Sequence, residues 1–280
     1  MALPQRPLGR SGLRVGVVGL GTVKLGRLEG LKHPDRPAAL PTDEEALALL
    51  EKAQRLGVTL LDTAPAYGVA EERLGRLLKG RRDRWTICTK AGERFEAGRS
   101  RFDFSPRALA ASLEASLRRL RTDRVELLLV HSDGGAEGEL ARDETIDALL
   151  ALKRAGKALL VGASVKTPAG ARRCVELLDA AMVELSPRAT AMLEVMEEAA
   201  ARSCAILIKK ALASGWIARE AAQRSAASGA PPDQARRAAA AEAVRFALAP
   251  QAVSCVVVGT TNPQHLQEAV EAASGRARAR

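Results

Sequence analysis

The run Val125-Glu126-Leu127-Leu128-Leu129-Val130-His131 decides the fold. It is apolar almost throughout and shows no alternation, the pattern of a parallel strand buried on both faces. Its flanks read as helices. Upstream, Ser105-Pro106 supplies an N-cap and a first-turn proline to a helix carrying Leu109, Leu113, Leu117 and Leu120. Downstream, a helix from Asp143 to Ala155 is closed by Gly156.

The same alternation continues outward in both directions. Toward the N-terminus stand strands at Val17-Val18-Gly19-Leu20, at Val58 to Leu61 ending on Asp62, and at Trp85 to Thr89 ending on Lys90. Between them, Thr42 and Glu45 form a capping box for a helix with Ala46, Leu49, Leu50 and Ala53 on one face, and a short helix spans Glu71 to Lys79. Toward the C-terminus follow strands at Ala158 to Val161, Met182 to Leu185, Ala205 to Ile208 and Ser254 to Val258. Helices are expected at Ala169 to Leu178, Ala191 to Arg202, in the stretch closing at Leu248, and from Pro263 onward. Ile217 to Pro232, rich in Ala and Ser with Gly229 and two prolines, reads as an irregular excursion.

Eight strand and helix pairs predict an α/β chain folded as one (β/α)8 TIM barrel over residues 1–280. A short N-terminal β-hairpin at Leu8 to Val15, turning at Gly12, precedes it. The competing open, doubly wound sheet usually carries a Gly-rich phosphate loop after its first strand; Gly19-Leu20-Gly21 is too slight a match and leads into a long loop.

Composition narrows the partners. A net charge of +10 raises nucleic acid as a partner, but the basic residues are spread along the helices beside Glu and Asp. Only Gly275 to Arg280 concentrates them, and no basic run is interleaved with aromatics, so nucleic-acid binding is not expected. Cys88, Cys174, Cys204 and Cys255 lack the paired spacing of a metal site or a disulfide framework. No apolar run reaches membrane-spanning length and the N-terminus lacks a signal core, so a cytoplasmic protein with neither metal nor membrane partner is expected.

Aromatics make up 2% of the chain, and Tyr67 in Asp62-Thr63-Ala64-Pro65-Ala66-Tyr67-Gly68 is its one tyrosine. Asp62, Lys90 and His131 end the second, third and fourth strands, and Tyr67 follows the second. In a barrel all four converge on the C-terminal mouth, where such folds keep their active sites. Singly, each has a plain structural explanation as a turn cap, a solvated cation or a packed ring; together they read as catalytic.

These pieces in order resemble an aldo-keto reductase over nearly the whole chain. The resemblance rests on the hairpin followed by Gly19-Leu20-Gly21-Thr22, the Asp62 to Gly68 segment with Glu71 and Leu74-Gly75, strand-end Lys90 and His131, and Gly162-Ala163-Ser164. It continues in Leu212-Ala213-Ser214-Gly215 and in Gly259-Thr260-Thr261-Asn262-Pro263 with Glu268. It implies reduction of small aldehydes or ketones by hydride from NADPH, placed ahead of NADH. Tyr67 would be the general acid, its pKa lowered by Lys90, with Asp62 holding the lysine and His131 donating to the carbonyl oxygen. Gly21 and Thr22 would approach the nicotinamide ribose, Ser164 and Glu184 its carboxamide, and Lys210 the pyrophosphate. Leu212, Ser214, Gly259, Thr260, Thr261, His265 and Glu268 would complete the phosphate and adenosine side.

Three positions depart from the family pattern. Val165 stands for its Asn, Glu184 for its Gln, and Lys209 for the aromatic beneath the nicotinamide, which leaves Lys209 to pair with Glu184 across adjacent strand ends. Those departures support a second reading, a nucleotide-binding barrel with little turnover that acts as a regulatory or sensing subunit. The loops at Gly26 to Pro41, Ala91 to Phe104 and Ser132 to Arg142 carry few aromatics, Phe95, Phe102 and Phe104, which suits a small or polar substrate.

Overall fold

The computed structural model describes residues 2–31, 39–132, 140 and 142–275; parts of the loops at 26–41 and 132–142, and the basic tail from Arg276, lie outside them. Its first two strands, β1 (Gln5–Pro7) and β2 (Arg14–Gly16), pair antiparallel. The hairpin is therefore built from the residues flanking the Leu8 to Leu13 turn, while Leu8 and Val15 bury their side chains.

Eight parallel strands then close into a barrel. In order around it they are β3 (Val18–Gly21), β4 (Leu60–Asp62), β5 (Thr86–Ala91), β8 (Val125–His131), β9 (Ala158–Ser164), β10 (Ala180–Glu184), β11 (Ala205–Lys209) and β12 (Val253–Gly259). Strand β12 pairs back onto β3, from Val256↔Val18 to Gly259↔Gly21, so no edge is left open.

The deciding strand explains itself in this geometry. Leu127 and Leu129 point into the barrel with Leu60, Cys88, Leu160, Met182 and Leu207. Leu128 and Val130 point outward to Leu109, Leu113 and Leu149 on the surrounding helices. Both faces are apolar because both are covered. Leu8 and Val15 of the hairpin join the inner cluster.

The covering helices include α1 (Val23–Gly26), α2 (Asp43–Arg55), α3 (Ala70–Leu77), α4 (Pro106–Leu120), α5 (Asp143–Arg154) and α6 (Pro168–Leu177). The remainder are α7 (Met196–Ala201), α8 (Trp216–Ala227), α9 (Pro232–Leu248) and α10 (Pro263–Ala273). The capping box is present: Thr42 Oγ1 accepts from Glu45 N at 3.2 Å, and Glu45 Oε2 accepts from Thr42 N at 2.8 Å.

Three expectations are corrected. The stretch from Ile217 is a helix, because Ala, Arg, Glu and Gln outweigh its serines in helix propensity, and it breaks only near Gly229, at φ +74°. The polar loop after Lys90 contains a second hairpin, β6 (Glu93–Glu96) with β7 (Arg99–Phe102), turned by Ala97 and Gly98 at φ +50° and +76°. Alanine at the first turn position hides the usual Asn-Gly signal. The helix expected from Ala191 is also divided, opening as a 3-10 segment over Ala191–Val195.

All four cysteines are buried and free. Among the described residues, no helix is long and apolar enough to cross a membrane, and no cluster of His, Cys, Asp and Glu is arranged to hold a metal.

Candidate active site

Register brings the strand-end residues to one mouth. Gly21 on β3 stands opposite Asp62 on β4, and His131 on β8 stands opposite Ser164 on β9. Lys90, near the end of β5, sends its ammonium between Asp62 Oδ1 at 2.6 Å, the Thr63 carbonyl at 2.9 Å and the Tyr67 hydroxyl at 3.1 Å. Thr22, just past β3, fixes the same corner by donating both its backbone N–H and its hydroxyl to the Asp62 carbonyl at 2.9 Å.

Two glycines set the height of Tyr67. A Cβ added to Gly26 would lie 2.2 Å from the Tyr67 carbonyl and from Ala70 N. One added to Gly68, itself at φ +60°, would lie 2.3 Å from the Gly26 carbonyl. Side chains at these positions would push apart α1 and the Pro65–Tyr67 turn, so the glycines let the loop seat its phenol over Lys90.

His131 presents its ring edge-on to Tyr67, with centroids 6.0 Å apart at 83°. Its Nδ1 lies 2.5 Å from Glu93 Oε2 on β6, so close that a proton must sit between them. Glu93 also accepts from the Ser100 hydroxyl across the β6–β7 hairpin. This carboxylate is the functional candidate that sequence reading missed, because it sits in a segment read as loop with no motif around it.

The charges are tightly coupled. Burial pushes the Tyr67 phenol up to about 12; Lys90 pulls it down without reversing the shift. The expected lowering of Tyr67 is thus corrected: desolvation outweighs the ammonium, and the phenol stays protonated. Burial draws Lys90 downward, but Asp62 and Tyr67 outweigh it and hold the ammonium well above the usual lysine range. Burial would raise Glu93, yet His131, Ser100 and Arg27 hold it at about 2. His131 falls below its usual value because desolvation, with Lys90 and Lys209, outweighs Glu93.

Across the mouth, Lys209 at the end of β11 donates to Ser164 Oγ at 2.7 Å, and Lys210 donates to Glu184 Oε2 at 2.7 Å. The expected pairing of Lys209 with Glu184 is therefore replaced by a crossed one. Although Glu184 and Lys209 are in register, Lys210 at φ +56° swings its side chain back to Glu184. Burial, together with Lys210, Lys90 and Lys166, brings Lys209 down to about 7.

The turn after β11 is strained. Lys210, Ala213 and Ser214 all take positive φ without being glycine, ahead of Gly215 at φ +94°, with Leu212 half-buried among them. Such backbone persists where a site requires it. At the end of β12, a Cβ on Gly259 would meet nothing within 4 Å, so the strand opens on free space. Thr260 turns its hydroxyl inward to accept from Asn262 N at 3.0 Å, and Thr261 is half-buried. Glu268 on α10 is gripped by Arg236 at 3.0 and 3.1 Å, and His265 shares that corner, lowered by burial and by Arg236.

The sequence and the fold have known relatives. The sequence profile of the aldo/keto reductase family matches residues 17–276. A crystal structure from Pseudomonas aeruginosa assigned to the aldo-keto reductases is 41% identical, covers 97% of this chain and 94% of that one, and superposes with a TM-score of 0.83. Among curated proteins, D-threo-aldose 1-dehydrogenase of a Pseudomonas species is 29% identical over 94% of this chain and 91% of its own length. L-galactose dehydrogenase of Arabidopsis thaliana is 36% identical over 56% of this chain, a match that spans 47% of the plant protein. With the profile covering most of its length, the chain belongs to the aldo/keto reductase family and is an oxidoreductase.

Proposed function

We propose that the chain interconverts small aldehydes or ketones and their alcohols with a nicotinamide dinucleotide, NADPH ahead of NADH, as the hydride carrier. The observation that carries this reading is the position of Lys90 between Asp62 and Tyr67. A phenol kept protonated at the mouth, 3.1 Å from an ammonium, is a proton donor whose conjugate base is stabilised as it forms.

The donor set fits the dinucleotide. Ser164 accepts from Lys209 and keeps its own hydroxyl proton to give, and Glu184 is a carboxylate acceptor for an amide N–H. Gly259 leaves room at β12, and Lys210, Arg236 and Arg237 supply cations on the phosphate and adenosine side. Thr22 and Thr260 have committed their hydroxyls to the backbone, so they serve as walls rather than donors. When bound, the nicotinamide supplies the hydride, which no side chain can.

Glu93 gives His131 a definite role. A carboxylate 2.5 Å away demands a proton on Nδ1, which leaves Nε2 of the neutral ring an acceptor. The ring accepts from an alcohol when neutral and donates to a carbonyl oxygen when charged. Carbonyl reduction is thus favoured below the lowered His131 pKa and alcohol oxidation above it.

Oxidation of NADPH or NADH with a panel of aldehydes tests the reading. Tyr67→Phe removes one bond to Lys90 and should lower turnover by about 10²- to 10⁴-fold while the fold persists. Tight cofactor binding without turnover on any carbonyl would favour the low-turnover subunit instead.

A further inference from the structure

Arg27, the residue that closes α1, holds its guanidinium carbon 3.8 Å from the centroid of the Phe95 ring on β6. Its Nε is buried with no hydrogen-bond partner, and among the described residues no carboxylate reaches it at ion-pair distance. The carboxylates that act on it are Glu93 and Glu29, and Glu93 is already engaged by His131 and Ser100. The Arg27 Cβ lies 3.4 Å from where a side chain on Gly68 would begin, so the arginine flanks the turn that carries the proposed proton donor, Tyr67.

The Arg27 side chain as a whole is only half-buried, so the rest of its guanidinium opens to solvent, and a cation with no ion-pair partner among the described residues can meet an anionic ligand there. Packing against Phe95 restrains the guanidinium, whose N–H groups can bind two oxygens of one anionic group. Glu93 cannot rotate to satisfy Arg27 without abandoning His131. Lysine in place of Arg27 would supply charge but neither the fork nor the stacked face.

We propose that Arg27 is a specificity-determining residue that selects small aldehydes bearing a phosphate or carboxylate group, binding that group while the carbonyl faces Tyr67. This rests on the carbonyl-reductase reading above and adds the substrate class to it.

The test compares matched pairs with the full-length protein: glyceraldehyde 3-phosphate against glyceraldehyde, and succinic semialdehyde against butanal. In at least one pair the charged aldehyde should be favoured in kcat/KM by about tenfold or more, since a hydrogen-bonded charge contributes roughly 1.5–3 kcal/mol. Which pair responds identifies the anion. Arg27→Gln should erase the preference by raising KM for the charged aldehyde far more than for its neutral partner, and Arg27→Lys should fall between. Equal kcat/KM within both pairs, or an equal loss for charged and neutral aldehydes in Arg27→Gln, would overturn the proposal. Calorimetric titration with inorganic phosphate and with succinate needs no turnover and no variant. Binding of either anion by wild type, lost in Arg27→Gln, supports the arginine site even if no aldehyde is reduced, and binding of neither overturns it. Absence of turnover on all four aldehydes counts against the reductase reading alone.

Discussion

Lys90 Nζ lies 2.6 Å from Asp62 Oδ1, with 1% and 6% of the two side chains exposed. Removing one partner from such a pair strands the other charge in the barrel mouth. Lys90→Met should therefore cost about 3–5 kcal/mol in chemical denaturation, while Asp62→Leu combined with Lys90→Met should cost much less than the two single losses added. A Lys90→Met loss below about 1 kcal/mol would show that water reaches the pair. The pH dependence follows from the raised Lys90: its contribution is complete below the ordinary value of 10.5 and declines only as pH rises through the higher folded value.

Glu93→Gln should change two titrations in known directions. Burial lowers His131 and Glu93 opposes it, so the variant's imidazole should titrate lower still, as followed by NMR of the ring protons. The pH below which carbonyl reduction is favoured should move down with it. Glu93 itself, held at about 2 against an ordinary 4.5, contributes stability that is present above pH 4.5 and lost as pH falls toward 2. Wild type should lose stability across that window and the variant should lose less; matching acid denaturation curves would contradict the contact.

The barrel and its four converging residues were legible because they depend on patterns that short range alone dictates. Apolar runs of strand length, each followed by a helix, fix where Asp62, Lys90 and His131 must end up. The height of Tyr67 was not legible, since it depends on Gly26 meeting Gly68 across a gap of more than forty positions. Glu93 was hidden by a hairpin turn made with alanine. The crossed pairs Lys209–Ser164 and Lys210–Glu184 could not be read from order along the chain, because the positive φ at Lys210 decides which amine faces which strand.

Lys209 should destabilise the protein in a pH-dependent way. Its amine is held at about 7 against an ordinary 10.5, mainly by burial and then by Lys210, Lys90 and Lys166, with Glu184 opposing. Between those values the unfolded chain binds the proton and the folded chain releases it, so the Lys209 contribution makes stability rise with pH. Lys209→Met should therefore raise the melting temperature most below pH 7, with the gain shrinking toward pH 10.5. A gain of constant size across that range would mean that the amine titrates as an ordinary lysine.

Cofactor choice should turn on the α9–α10 corner. Strand β12 ends in Gly259 and offers no cation for a 2′-phosphate, but Arg236 and Arg237 reach the same corner from α9. Both oxygens of Glu268 are occupied by Arg236, at 3.0 and 3.1 Å, and one also meets Arg237 at 3.3 Å. A phosphate monoester must compete with that carboxylate for the guanidinium forks. Glu268→Gln removes the competing charge and should tighten NADPH relative to NADH by roughly tenfold, read by tryptophan fluorescence titration. Arg236→Ala should do the reverse, weakening NADPH and leaving NADH nearly unchanged. If both substitutions shift the two dinucleotides equally, Arg236 and Glu268 only join α9 to α10, and the 2′-phosphate is read elsewhere.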